Sequence, residues 1–154
     1  MKRRPELLQL SREHHTALVL AKRAQRLAQG AATDAREFMD ELPARFASEL
    51  EPHFQVEEIA LLSALQDSHP EDDIIQMVAR TLLEHNQLRT LATRLGQQDF
   101  SSLAPFGELL GNHVRFEERE LFQAAETLLS PAALSRIETA CQQSGAGCTS
   151  ALPS

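Results

Sequence analysis

His53-Phe54-Gln55-Val56-Glu57-Glu58 recurs sixty positions later as His113-Val114-Arg115-Phe116-Glu117-Glu118. In each copy the first His and the first Glu stand four residues apart, so in a helix they project from one side. The flanks repeat as well: Phe46 matches Phe106, Leu50 matches Leu110, Val56 matches Phe116 and Leu61 matches Leu121. Upstream of each copy lies a second repeated unit, Glu13-His14 and Glu84-His85. Around it Leu7 matches Val78, Ala17 matches Leu88, Leu20 matches Leu91 and Ala21 matches Ala92. Self-similarity of this kind reads as two helical hairpins built to one plan. Each hairpin carries a His on its first helix and a His-x-x-x-Glu on its second.

The rest of the chain fits that plan. Apolar residues recur at three- and four-residue steps almost throughout, which is the helical period. A first helix is predicted from about Glu6 to Gln29, closed by Gly30 through a positive φ. A second, capped by Thr33 or Asp34, runs to about Leu65, with a kink or a late start imposed by Pro43 and Pro52. Asp67-Ser68-His69-Pro70 is a break. A third helix runs from about Asp72 to Leu95 and ends at Gly96. Asp99 or Ser101 opens a fourth that reaches about Leu129, and Ser130-Pro131 starts a short fifth. Short connections between long helices predict an all-α, antiparallel four-helix bundle with a short C-terminal extra helix. Residues 1–143 form this domain, and 144–154, rich in Gly and Ser, are expected to be an unstructured tail.

Composition limits the partners. A chain of 154 residues suits one core. A net charge of −7 argues against nucleic acid or an anionic membrane surface, since both call for a basic face. No stretch approaches the roughly 20 apolar residues of a membrane span. The apolar run 17–21 ends at Lys22 and Arg23, so a secretory signal is not expected and a cytoplasmic location is. Cys141 and Cys148 match no common zinc spacing and read as free or loosely paired thiols. Tyr and Trp are absent, which removes a tyrosyl or tryptophanyl radical from any mechanism.

The repeated polar residues lie on apolar stripes. His14 shares its stripe with Leu7, Leu10, Ala17 and Ala21, and His85 with Val78, Leu82, Leu88 and Ala92. His53 and His113 sit between Leu50 and Leu61 and between Leu110 and Leu121. With 1.5 Å of rise per residue, alternating helix direction brings all six groups within about two turns of one level. Two readings follow: a hydrogen-bonded polar core, or a metal site. Buried Glu57 and Glu117 would each cost several kcal/mol as unpaired ions, and no Lys or Arg repeats on the same stripes. Two cations held by four imidazoles and two carboxylates meet that deficit, so metal binding is favoured, with His14, His53, Glu57, His85, His113 and Glu117 as candidate ligands. His15 lies about 100° round from His14 and is predicted to be outside the set, although a shift of register would make it the ligand. His69 reads as a solvated loop residue. Glu58 and Glu118 are expected chiefly to face solvent or an adjacent helix, the alternative being hydrogen bonds to the ligands.

Taken in order, Glu-His, His-Phe-x-x-Glu-Glu, Glu-His and His-x-x-x-Glu-Glu resemble the hemerythrin-like, His-His-Glu cation-binding domains over about residues 6–129. The resemblance implies a non-haem di-iron centre. The four His would be terminal ligands, and Glu57 and Glu117 would bridge two Fe ions together with an oxo or hydroxo species. One departure matters. The oxygen-carrying hemerythrins have a further His one turn after the third-helix ligand, and Arg89 stands there. The chain thus resembles the four-His, two-Glu members associated with iron, nitric oxide or redox stress, and reversible oxygen carriage is put in doubt. A ferritin-like site would need Glu three residues before His, where Leu50 and Leu110 stand. No His-Glu-x-x-His motif occurs. Zinc or manganese could use the same N and O donors.

Three functional classes follow. The favoured one is a di-iron module that binds or senses O2, NO or iron status. The others are an enzyme acting on peroxide or nitric oxide, or delivering iron for cluster repair, and a bundle with a purely structural metal. Small ligands are the expected partners; the sequence identifies no protein partner.

Overall fold

The computed structural model describes residues 2–150 of the chain, with side chains to residue 144. Five helical rods follow one another, and no strand occurs among the described residues. The first, α1, is Leu8–Ala28, entered through a 3-10 turn at Pro5–Leu7. The second, α2, is one rod over residues 32–68, and α3 is Asp72–Gly96. The fourth, α4, covers residues 103–128 after a 3-10 turn at Phe100–Ser102, and α5 is Pro131–Ser150. The helix α5 therefore runs past residue 144, where the sequence predicts a tail. The rest of that tail, 151–154, lies outside the described residues.

Each of α1 to α4 packs on its sequence neighbour, and α1 closes the ring against α4. The fifth helix lies across the middle of α2 and the entry to α1. No helix among the described residues is long and apolar enough to cross a membrane.

Several predicted boundaries are corrected. Ala31 is the N-cap residue of α2, without a side-chain cap; Asp34 sits in the first turn, where its charge favours the positive end of the helix dipole. Among the described residues no glycine has a positive φ. The turn after α3 places Gln98 there instead, at φ 66°, and its amide donates to Asp40 at 2.5 Å. Gly96 serves a different purpose: a Cβ there would fall 2.6 Å from the ring of Pro43, so its smallness lets the end of α3 approach α2.

The prolines neither stop α2 nor delay it. A π turn at Phe46–Leu50 precedes Pro52, and the Glu51 N–H bonds the Phe46 carbonyl five residues back. The wider turn gives room to a ring that would otherwise press on the preceding turn. Two more π turns, Glu57–Leu62 and Glu117–Leu121, begin at the repeated glutamates. As expected, Asp99 caps the turn before α4 through the Ser101 N–H, and Ser130 Oγ accepts from the Ala133 N–H at the start of α5.

The interior is two apolar clusters. One contains Ala17, Leu20, Phe46, Leu50, Phe54, Leu88, Phe106 and Leu110; the other contains Leu10, Val56, Leu61, Val78, Phe116, Leu121 and Phe122. The boundary between them falls at the repeated His and Glu residues on every helix of the ring. Where α1 meets α4, a Cβ on Gly107 would come within 2.7 Å of the Ala21 carbonyl oxygen. Ala for Gly inside a helix normally gains about 0.5–1 kcal/mol. Here the contact is with backbone, so overpacking of about 1–3 kcal/mol decides the sign. Gly107→Ala is expected to lower the thermal midpoint, and a raised midpoint would contradict this close approach.

Candidate metal centre

His14 on α1, His53 and Glu57 on α2, His85 on α3, and His113 and Glu117 on α4 converge in one layer at the middle of the bundle. All six are buried, none more than 5% exposed. One ligand atom from each of His14, His53, Glu57 and Glu117 can be chosen so that all lie within 4.8 Å of one another. The same holds for Glu57, His85, His113 and Glu117. The two groups share both glutamates.

The glutamates face both groups. Glu57 places Oε2 2.9 Å from His53 Nε2 and Oε1 3.1 Å from His85 Nε2. Glu117 places Oε1 2.8 Å from His14 Nε2 and Oε2 3.1 Å from His113 Nε2. Each carboxylate thus spans from one histidine pair to the other. The i,i+4 partners His53–Glu57 and His113–Glu117 come from single helices; the remaining contacts exist only because four helices meet.

Behind every imidazole stands another carboxylate. His14 Nδ1–H donates to Glu118 at 2.5 Å and His53 Nδ1–H to Glu13 at 2.8 Å. His85 Nδ1–H donates to Glu58 at 2.7 Å and His113 Nδ1–H to Glu84 at 2.8 Å. A carboxylate can only accept, so Nδ1 carries the proton and Nε2 is turned toward the cluster. An imidazole held in this way has the orientation and basicity of a metal ligand. Of the readings the sequence left for Glu58 and Glu118, solvent or an adjacent helix on one hand and hydrogen bonds to the ligands on the other, the structure has the second: each reaches an adjacent helix and accepts from the outer nitrogen of a ligand-position histidine. Glu13 and Glu84 were visible only as part of a repeated dipeptide. The available signal was their position just before His14 and His85, about 100° round the helix toward the next helix's histidine.

Inside the layer six polar atoms have no hydrogen-bond partner: the Nε2 atoms of His53, His85 and His113, both oxygens of Glu57, and Oε2 of Glu117. They lie close together without hydrogen-bond geometry. Orphaned buried donors and acceptors are uncommon and costly, and atoms that all aim at shared points fit a shared cation. The donor set of imidazole nitrogen and carboxylate oxygen suits iron, manganese or zinc.

With no cation bound, protons must do the balancing. Burial is the largest influence on His85 and pushes its pKa down, but Glu117, Glu57 and Glu58 outweigh it and raise the value to about 11. His113 behaves likewise, raised to about 9 by Glu117 and Glu84 against burial. Burial and the charge of Glu117 push Glu57 up, yet His53 and His14 bring it down to about 2.

The other singled-out residues fall elsewhere. His15 is exposed on α1 and outside the layer. His69 is not fully solvated: its side chain is 25% exposed, and Nε2–H donates to the Leu128 carbonyl at 2.9 Å. Arg89 neither enters the layer nor runs free in solvent. It donates twice to Glu51 at 2.8 Å and pairs with Glu58 at 3.0 Å. Phe54 stacks on His85 at 3.9 Å between ring centres, and Phe122 on His14 at 5.0 Å.

Cys141 is a free, buried thiol in the second apolar cluster; the Cys148 side chain lies outside those described. Burial, helped by the charges of Glu13, Glu57 and Glu138, pushes the Cys141 pKa up to about 12. At pH 8 the thiol therefore stays protonated, and the thiolate is the reactive form. In a Cys148→Ser variant, a thiol reagent at that pH is expected to leave native protein unmodified and to label it on denaturation. Rapid labelling of the native form would show that the thiol is accessible.

No curated protein and no solved structure matches the chain. A family model, described as the hemerythrin HHE cation binding domain, matches residues 7–125, a span that runs from the entry to α1 into the last turn of α4 and contains every member of the buried layer. The chain therefore belongs to the hemerythrin HHE cation-binding family.

Proposed function

We propose that the layer holds two iron ions and that the protein binds or senses a small ligand there, with O2, NO and peroxide as candidates. The observation that carries this reading is the pair of four-residue donor groups sharing Glu57 and Glu117. Each group offers two imidazole nitrogens and two carboxylate oxygens, and the shared carboxylates can each reach both. A pair of ions there, when bound, supplies redox capacity and coordination positions for small exogenous ligands. The chain's own residues do the rest. The apolar clusters exclude water from above and below, the outer glutamates fix the four Nε2 atoms inward, and Phe54 and Phe122 hold two of the rings in plane.

Arg89 supports a vacancy for ligands. It occupies the position where the oxygen-carrying relatives have another His, and it is drawn outward to Glu51 and Glu58. As a guanidinium it cannot serve as a ligand to a cation, so only four imidazoles serve two ions.

Anaerobic reconstitution with ferrous iron is expected to yield about two ions per chain, the capacity for which two such donor groups allow. Azide and nitric oxide should then alter the optical and paramagnetic spectra. Iron that binds but ignores both ligands would leave a structural metal site and remove the small-ligand function. A chain that retains no transition metal would remove the reading altogether.

A further inference from the structure

The ligands repeat between the two halves of the chain, but their outer supports do not. Resting on the di-metal reading above, we infer that the two ions are held unequally: the His85/His113 side retains its ion and the His14/His53 side exchanges its ion with solution.

On the His85/His113 side both outer carboxylates are clamped by arginines from α3. Arg89 pairs with Glu58 and Arg80 donates to Glu84 at 3.0 Å. Arg80 also lies 4.0 Å over the Phe116 ring, closer than Arg3 on the other side lies over Phe122, at 5.4 Å. The carboxylate side chains of Glu58 and Glu84 are 20% and 11% exposed. His85 is fully buried and closely stacked on Phe54.

The His14/His53 side is built more loosely. Glu13, behind His53, is 38% exposed and, among the described residues, receives only the Gln9 amide, at 3.2 Å, besides the histidine. Glu118, behind His14, is 30% exposed. It accepts from Ser11 Oγ at 2.8 Å and pairs with Arg3 at 3.0 Å. Arg3 does not belong to a helix. It lies in the segment leading into α1, held to α4 by Glu126 at 2.9 Å and by the Glu118 carbonyl at 2.9 Å. The neighbouring Arg4 N–H also donates to Glu126, at 2.6 Å. If this segment lifts from α4, Glu118 loses its cation, and the carboxylate that orients His14 is then held by Ser11 alone. The ring stacked on His14 is also the more distant of the two.

An outer carboxylate that water can reach holds its imidazole less firmly, and supports of this kind are commonly worth about 10–100-fold in metal affinity. The sum of a missing cation at Glu13 and a detachable one at Glu118 therefore falls on one ion. The asymmetry originates in Gln9 and Arg3 against Arg80 and Arg89, not in the ligands themselves.

Cobalt(II) serves as the probe, because its visible bands report imidazole and carboxylate ligation. The full chain is loaded with cobalt and mixed with excess chelator. Two release phases of equal amplitude are expected, separated about tenfold or more in rate. Arg3→Gln and, separately, Ser11→Ala should accelerate the fast phase and leave the slow one unchanged, while Arg80→Gln should accelerate the slow phase. Circular dichroism of each variant checks that the bundle is intact. A single phase, or Arg3→Gln and Ser11→Ala acting on the slow phase, on both alike or on neither, would overturn the inference. Failure to take up cobalt at all is a separate result, seen before chelator is added, and would remove the di-metal reading and this inference with it.

Discussion

Glu57→Ala or Glu117→Ala is expected to abolish binding of both ions, whereas Glu58→Ala or Glu118→Ala should weaken binding without abolishing it. The difference comes from reach. Glu57 contacts His53 with one oxygen and His85 with the other, and Glu117 does the same for His14 and His113. Removing either glutamate takes a donor from both groups at once. Removing Glu58 or Glu118 takes nothing from the layer; it frees one imidazole to rotate, for about a 10–100-fold loss of affinity. Elemental analysis at saturating iron and a competition titration against a chelator separate the two effects. Equal losses across the four variants would mean that Glu57 and Glu117 do not act on both ions.

Metal removal should lower the thermal midpoint while leaving the helices formed. A ligand that binds only the native state adds about 2.7 kcal/mol per site at a concentration a hundred times its Kd. In a chain of this length that corresponds to about 5–10 °C for one site. The two apolar clusters do not depend on the metal, so far-ultraviolet circular dichroism should change little. The metal-free form has its own pH dependence. Its histidines have raised pKa values, about 11 for His85 and about 9 for His113. Their contribution is complete below the unfolded value near 6.5 and is lost as pH rises through those numbers. Glu57 is lowered to about 2, so its contribution is complete above the unfolded carboxylate range and is lost only in strong acid. The metal-free protein should therefore be most stable between about pH 5 and 6.5 and weaken progressively from there up to about pH 11, most steeply below pH 9 where both histidines contribute. A midpoint that is identical with and without metal, or a metal-free form that gains stability toward pH 10, would contradict this account.

The bundle and its polar layer were legible because both are periodic. The helical spacing of Leu50, His53, Glu57 and Leu61, repeated at Leu110, His113, Glu117 and Leu121, sets four helix faces without any knowledge of their neighbours. Helix ends were less legible. The positive-φ position is Gln98 rather than a glycine, and Gly96 and Gly107 answer to Pro43 and the Ala21 carbonyl on other helices. Pro52 kept its place inside α2 because a π turn opened ahead of it, a local adjustment that spacing alone does not reveal.

The sequence by itself determined the fold class and the six side chains that share the buried level, since both follow from rotation and rise along single helices. Only the tertiary structure decided what supports them. Glu13 reaches His53, Glu58 reaches His85, Glu84 reaches His113 and Glu118 reaches His14, each across a helix boundary. Which carboxylate meets which imidazole depends on helix rotation and separation, quantities set by packing. The same packing places Arg89 on Glu58 and Arg3 on Glu118. Two halves that look alike in sequence thereby acquire different surroundings.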